Sequence, residues 1–140
     1  PLVANKSLWR NFPKLWNDTW YDGNKVLLGD SLHTAHFSIG SGTRLAMEDG
    51  IALVRAMTDA NGDVSKALPA YQAARKPIVE KIVVAANRSA LWYEDFAKHM
   101  ELSPWDLADS YIRRAGRIDD DRLRKLAPKF MAGLDAHRAA

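Results

Sequence analysis

The hydrophobic residues of this chain form short runs near its start and longer periodic stretches after them. The short runs, residues 19–21 and 26–28, flank the tight-turn sequence Asp22-Gly23-Asn24, and this arrangement predicts a β-hairpin. The second run is wholly apolar and predicts a buried strand. The first periodic stretch carries apolar residues at intervals of three and four from about Thr43 to Gly62. It predicts a largely buried helix that the glycine ends.

The next periodic stretch predicts a long second helix with one interruption. Asp63 is a suitable N-cap, so we expect this helix to begin near residue 64. Pro77 lies within the pattern, and a proline in a helix interior removes a hydrogen bond and crowds the preceding turn. We therefore expect a kink or break near residues 75–76, after which the helix continues to about residue 100.

Shorter helices are predicted in the remainder of the chain. Ser103 followed by Pro104 is typical of an N-cap and the first helical position, and Gly116 marks the end of this third helix. A fourth helix, from about residue 119 to 126, stops before Pro128. The apolar positions of the tail predict a final helix.

The composition is that of an ordinary globular domain. The chain has 140 residues, of which 47% are hydrophobic and 26% are charged. The net charge of +3 comes from cations interspersed with carboxylates, so we expect no nucleic-acid partner. No apolar run approaches the roughly 18 residues of a membrane span. The absence of cysteine fits a reducing compartment, and we expect a cytoplasmic location.

Candidate chemistry is concentrated in residues 25–49. Asp30 follows the apolar run 26–28, and the end of a strand is where ligand-contacting carboxylates occur in α/β sheets. Gly40 and Gly42 immediately precede the first helix, so a ligand could approach unpaired amides at the positive end of the helix dipole. A lone G-x-G is a weak signal, and the same glycines would also suit turns with positive φ.

The order of these residues resembles a known motif. The run Gly29-Asp30-x-x-His33, Gly40-x-Gly42 and Ala46-Met47-Glu48-Asp49 is similar to the second flavin-binding motif of FAD-dependent aromatic monooxygenases of the para-hydroxybenzoate hydroxylase type. The pattern Tyr71-x-x-x-Arg75-x-Pro77 resembles a helix that packs on the FAD domain of that family. The version His36-Phe37-Ser38 is most similar to the salicyloyl-CoA and 2-aminobenzoyl-CoA monooxygenases, whereas many relatives carry proline at the position of Phe37.

The resemblance implies a fold and a division of the chain. The expected fold is an α+β fragment, predominantly helical, in which a short hairpin precedes four or five helices. It would form the C-terminal part of an α/β FAD-binding fold of the Rossmann-like, glutathione-reductase type. Residues 1–24 would lead in from a substrate domain and residues 25–100 would form the C-terminal part of the FAD-binding domain. Residues 101–140 would be a helical extension that can lead on to a further domain. Because the chain lacks G-x-G-x-x-G and begins with proline, we expect it to be part of a longer enzyme.

The resemblance also assigns the cofactor site. Asp30 would accept a hydrogen bond from a ribityl hydroxyl of FAD, and Gly29 would let the chain turn close to the cofactor. Phe37 would form part of the wall where the substrate ring meets the flavin, although core packing is an equal alternative for it. Backbone amides would face the pyrimidine edge of the isoalloxazine, and they belong to Gly40, Ser41, Gly42, Thr43 and Arg44.

The implied function is hydroxylation of an aromatic substrate, with an aromatic acyl-CoA thioester as the favoured class. The enzyme would use NADH or NADPH and O₂ and react through a flavin hydroperoxide; no residue of this chain stands out as a general base. A halogenase or reductase on the same FAD scaffold is one alternative, although the halogenase motif W-x-W-x-I-P is absent from the sequence. A helical interaction module, in which the glycines only make turns, is the alternative from a different functional class.

Other residues have a structural and a functional interpretation. His33 and His36 do not suffice for a metal site, because two histidines without further ligands leave a tetrahedral site incomplete. The aromatic lead-in that includes Trp9 and Trp20 fits core packing better than a substrate cavity. Basic residues are more often surface charges than phosphate ligands, and this applies to Lys6, Arg10, Arg113, Arg114 and Arg117.

Overall fold

The predicted hairpin is present but shorter than expected. The computed structural model describes Leu8 and residues 11–140, and within them β1 (Tyr21–Asp22) pairs antiparallel with β2 (Lys25–Val26). Gly23 has a φ of +57°, which glycine adopts easily in the tight turn. Leu27 and Leu28 are 37% and 39% exposed, so the prediction of a buried strand over residues 26–28 is wrong. A two-stranded sheet offers too little packing surface to bury a longer strand on both faces.

Two helices make up most of the first half. Helix α1 (Gly42–Asp59) begins and ends close to the predicted limits, and Gly62 follows with a φ of +80°. Of its residues only Leu45 and Asp49 are buried, so the prediction of a largely buried helix is wrong. Helix α2 (Val64–Glu94) is capped as predicted, because the Asp63 side chain accepts a hydrogen bond from the Ser65 amide at 3.1 Å.

Of the kink or break expected near Pro77, the break does not occur, since α2 is one helix of 31 residues with Pro77 inside it. The helix ends at Glu94 instead of near residue 100. Buried residues on both sides of the proline belong to the same core, among them Tyr71 and Val79. This shared packing compensates for the hydrogen bond that proline cannot make.

The main core lies between the hairpin region and the two long helices. Trp20 is fully buried at its centre, where its amide donates to the Gln72 side chain at 2.8 Å. Its ring lies 5.5 Å from that of Tyr71, which confirms core packing for this tryptophan. Phe12 in contrast is 72% exposed, and Trp9 lies outside the described residues. The core also contains Leu32, Leu45, Val79, Ile82 and Val83.

Four shorter helices follow. They are α3 (Phe96–His99), α4 (Pro104–Arg113), α5 (Asp120–Leu126) and α6 (Pro128–Ala139). The last three match the predictions, and Ser103 caps α4 by accepting from the Asp106 amide at 3.2 Å. A second core joins α5 to α6 through Leu123, Met131 and Leu134. Within the described part of the chain, no helix combines the length and apolar character that crossing a membrane requires.

One aromatic cluster connects α2 to these later helices. The Trp92 indole N–H donates to the Ser110 hydroxyl at 2.7 Å. Its ring stacks on His99 at 4.4 Å and meets Tyr111 edge-on at 5.4 Å. The end of α2 is thus fixed to α4 by both packing and a directional hydrogen bond.

Candidate functional site

A cleft of about 1170 Å³ lies where the residues of the flavin-like motif meet helix α2. One side is formed by a 3-10 turn at Gly29–Ser31 and the other by the start of α1, with the α2 residues Asn87 and Ala90 also lining it. The structure brings most of the predicted site residues to this cleft. They are Gly29, Asp30, Phe37, Gly40, Ser41, Gly42 and Thr43.

Arg44 is the predicted residue that does not line this cleft. Its side chain is exposed and pairs with Glu48 one turn later, with Nε 3.1 Å from Oε1. The prediction for Arg44 concerned its backbone amide, which belongs to the first turn of α1. Its guanidinium therefore takes part in a surface ion pair.

Gly29 is required by both backbone conformation and space. Its φ is +59°, and a Cβ built on it would lie 3.1 Å from the Cβ of Ala46 on α1. Its carbonyl accepts from the amides of Leu32 at 2.9 Å and His33 at 3.0 Å, which closes the turn. The turn thereby places Asp30 at the surface of the cleft with an exposed carboxylate.

The start of α1 opens onto the same cleft. Gly40 has a φ of +61°, and its amide donates to the Phe37 carbonyl at 2.9 Å, so the chain turns just before the helix. This amide is therefore engaged within the chain, contrary to its predicted role at the cofactor. Ser41 occupies the N-cap position without a side-chain capping bond. The first amides of a helix have no partner within it. A Cβ built on Gly40 or Gly42 would meet no atom within 4 Å, so the space beside these two residues is open.

Phe37 lies on the wall of the cleft and is 72% exposed, so core packing does not account for it within this chain. Its ring stacks on His36 at 4.3 Å. The next residue anchors this loop to α2, because the Ser38 hydroxyl donates to the buried Ser89 hydroxyl at 2.9 Å.

A buried charge network lies directly behind the turn. Asp49 is fully buried and both of its oxygens are engaged. Oδ2 lies 2.8 Å from His33 Nε2, and Oδ1 accepts from Arg75 Nε at 2.8 Å. Arg75 Nη2 also lies 2.8 Å from Glu48 Oε2. Burial by itself raises the pKa of Asp49, but the hydrogen bonds from His33 and Arg75 outweigh it, so this pKa lies below its ordinary value.

The sequence placed His33 and Asp49 in the flavin-like motif and Arg75 in a second family-like helix, but it did not connect the three residues. The available signal was the position of Asp49 and Arg75 among the apolar residues of their helices. A carboxylate and a guanidinium on buried helix faces have to pair with each other or with another charge.

The other candidate residues are engaged in contacts within the chain. His36 Nδ1 accepts from the Ser38 amide at 3.2 Å. Among the residues that the structure describes, no three His, Cys, Asp or Glu side chains converge as a metal site would require. Arg113 pairs with Asp109 at 2.6 Å and Asp120 at 2.8 Å. The guanidinium of Arg114 lies over the Tyr111 ring at 3.9 Å, whereas Lys6 and Arg10 lie outside the described residues.

Known proteins align with most of this chain, although no family model matches it. The chain is 42% identical over 117 residues to salicyloyl-CoA 5-hydroxylase of a Streptomyces species, which covers 82% of the chain and 23% of that protein. It is 43% identical over 117 residues to 3-hydroxy-4-methyl-anthranilyl-[aryl-carrier protein] 5-monooxygenase of Streptosporangium sibiricum, covering 84% of the chain and 32% of that protein. Protodeoxyviolaceinate monooxygenase of Chromobacterium violaceum is 38% identical over 114 residues, with 81% of the chain and 30% of that protein covered.

The chain thus spans between about a quarter and a third of the length of these relatives. Three other proteins, whose names state that they are FAD-dependent, each match 46% to 50% of the chain. The chain is therefore homologous to one part of the FAD-dependent aromatic monooxygenases.

Proposed function

We propose that this chain supplies one wall of the FAD site in an aromatic monooxygenase. Residues 25–100 would complete the FAD-binding domain, residues 1–24 would enter it from the substrate domain, and residues 101–140 would extend it. The homologous monooxygenases support this assignment, since they are considerably longer than the chain. The remainder of the FAD domain would then be supplied by the same polypeptide outside these residues, within a Rossmann-like fold and in the cytoplasm.

The cleft carries the proposal because its chemistry fits the cofactor. Its volume of about 1170 Å³ exceeds the roughly 300–1,000 Å³ of most small-molecule pockets, so it has room for a tricyclic ring system. An exposed carboxylate, Asp30, can accept hydrogen bonds from sugar-like hydroxyls. The amides at the start of α1 can donate to carbonyl or anionic groups, and Gly40 and Gly42 leave the approach open.

The residues of the chain would position and tune the cofactor. When bound, FAD would receive electrons from NADH or NADPH and activate O₂ for transfer of one oxygen atom to the substrate ring. The positive end of the α1 dipole would stabilise negative charge at the pyrimidine edge of the ring system. Phe37, exposed on the cleft wall, would exclude water on the side where the substrate ring lies.

The proposed substrate is an aromatic ring carried on a CoA thioester. Two relatives support this class, since one is named for a CoA-linked substrate and another for a substrate linked to an aryl-carrier protein. The sequence His36-Phe37-Ser38 points to the same subgroup. Turnover of salicyloyl-CoA against free salicylate by the full-length protein would separate the thioester from the free acid.

Equilibrium titration with FAD tests the cofactor site. In the full-length protein, Asp30→Ala should weaken FAD binding tenfold or more, because a lost hydrogen bond to a charged group costs about 1.5–3 kcal/mol. The matched control is Asp121→Ala, which removes an equally exposed carboxylate from α5 and should leave FAD affinity unchanged. If Asp30→Ala binds FAD as tightly as the wild type, Asp30 has no role in the site. A wild-type protein that takes up no flavin would refute the proposal as a whole.

A further inference from the structure

We propose that His33 and Asp49 are positioning residues that hold Asp30 in place for the cofactor. This inference rests on the proposed function, because it concerns how the FAD-binding turn is fixed. Neither side chain lines the cleft, so neither would touch the cofactor. Both are buried, with relative exposures of 2% and 0%.

A continuous path of contacts joins Asp49 to Asp30. Asp49 Oδ2 lies 2.8 Å from the His33 ring. The His33 backbone amide in turn donates to the Gly29 carbonyl at 3.0 Å. Gly29 is bonded to Asp30, so the carboxylate of Asp49 reaches the proposed FAD ligand through one side chain and one turn. Displacement of His33 would release the turn that carries Asp30.

Asp49 is itself held rigidly. Arg75 on α2 binds the other carboxylate oxygen at 2.8 Å, and Arg75 is only 6% exposed. A buried ion pair of this kind is unscreened by water and has a narrow range of acceptable geometries. Asp49 therefore fixes His33 relative to both long helices.

The charge network also extends along α1 to its first turn. Arg75 also contacts Glu48 at 2.8 Å, and Glu48 pairs with Arg44 in the first turn of α1 at 3.1 Å. Exposure increases along this path, from a fully buried Asp49 to a 64% exposed Arg44 side chain. Asp49 itself lies on α1, so its contact with His33 connects the Asp30 turn with the helix whose start would face the flavin ring.

The spacing between these two sides matters because a bound flavin would contact both at once. The turn would hold the ribityl chain, and the α1 amides would hold the ring edge. An error of about 1 Å in the position of one contact relative to the other is enough to weaken a multi-point site. His33 and Asp49 would therefore affect affinity without contacting the ligand.

A double-mutant cycle on FAD affinity in the full-length protein tests this inference. His33→Leu places an apolar side chain beside the Trp20 ring but removes the hydrogen bond to Asp49. It should weaken FAD binding about fivefold or more. In an Asp30→Ala background the same change should alter affinity less than twofold, because the ligand that His33 positions is already gone. His33→Gln keeps a donor near the Asp49 carboxylate and should recover most of the affinity.

Two controls separate positioning from loss of fold. Asp63→Ala removes the α2 cap, which costs about 1 kcal/mol, but lies outside the cleft and should leave FAD affinity unchanged. Thermal unfolding of each apoprotein shows whether the variant is folded before titration. If His33→Leu does not fold, the nearly isosteric Asp49→Asn replaces it in the cycle. This variant should also weaken FAD binding, and the effect should disappear in the Asp30→Ala background.

The outcomes distinguish this inference from the proposed function. Equal losses from His33→Leu in the two backgrounds would show a general structural effect and overturn the positioning role, while the FAD site would stand. If Asp30→Ala alone leaves FAD affinity unchanged, the proposed site fails and the positioning role with it. A His33→Leu variant that binds FAD like the wild type would also overturn the inference.

Discussion

Replacement of Arg75 by methionine measures how much the buried charge network contributes to stability. The substitution keeps most of the side-chain volume but leaves Asp49, which is fully buried, with His33 as its remaining partner. Removal of one partner from a buried ion pair typically costs about 3–5 kcal/mol, because the other charge stays out of water. Since the His33 contact persists, we expect about 3 kcal/mol, the lower end of that range.

Urea denaturation of the apoprotein provides the measurement, followed by tryptophan fluorescence because Trp20 is fully buried in the adjacent core. The matched control is Arg124→Met, which breaks an ion pair of 2.6 Å whose side chains are 48% and 49% exposed. An exposed pair contributes less than about 1 kcal/mol. The double variant Arg75→Met/Asp49→Asn should recover part of the loss, since it also removes the stranded charge.

A loss of stability in Arg75→Met no larger than in Arg124→Met would refute a stabilising role for the buried network. That result would mean that Asp49 reaches water or another cation in the folded protein. A double variant less stable than Arg75→Met alone would also contradict it, because the carboxylate would then be stabilising without the guanidinium.

Three further predictions follow from single groups. Gly42→Ala should leave stability unchanged or raise it by up to about 1 kcal/mol, since a Cβ there meets no atom within 4 Å. It should nevertheless weaken FAD binding in titrations, because Gly42 lines the cleft and the added methyl group takes up space there. Unaltered binding would place the cofactor elsewhere. The pKa of Asp49 lies below its ordinary value of 3.8, so wild-type stability should fall as the pH drops below that value, and acid titration of Asp49→Asn should lack this component. Burial raises the pKa of Tyr71 well above 10, so stability should fall as the pH rises beyond 10, where the unfolded chain ionises first. Tyr71→Phe should abolish that alkaline loss and be neutral or stabilising by about 1 kcal/mol at pH 7, because the buried hydroxyl has no partner among the described residues; a clear destabilisation would show that the hydroxyl has one.

Local signals in the sequence predicted where most helices begin. Asp63 and Ser103 cap α2 and α4 as expected, and proline occupies the first position of α4 and α6. These signals are reliable because a cap satisfies amides only two or three residues away. The turn at Gly40 was predictable for a similar reason, since its positive φ is a local property of the backbone, whereas Gly42 belongs to α1 and lacks the positive φ that the sequence also allowed.

The features that were missed depend on partners distant in sequence. Helix α2 continues through Pro77 because Tyr71 and Val79 on either side pack in one core, and no local rule contains that core. The second strand stops at Val26 because it pairs with one neighbour only. The network around Asp49 joins residues 16 and 26 positions away, and a single sequence gives each residue but not the pairing.

Helix α2 connects two regions of the protein with a fixed spacing. At about 1.5 Å per residue, its 31 residues extend about 46 Å. About 26 Å of this length separates Arg75 in the buried network from Trp92 at the C-terminal helices, and Ser89, beneath the cleft loop, lies between them. Each residue also rotates the helix by about 100°. Deletion of one residue between Arg75 and Ser89 would turn both downstream contacts away from their partners, whereas many substitutions on the exposed face would not. We therefore expect that homologous proteins vary in the composition of this segment and keep its length constant.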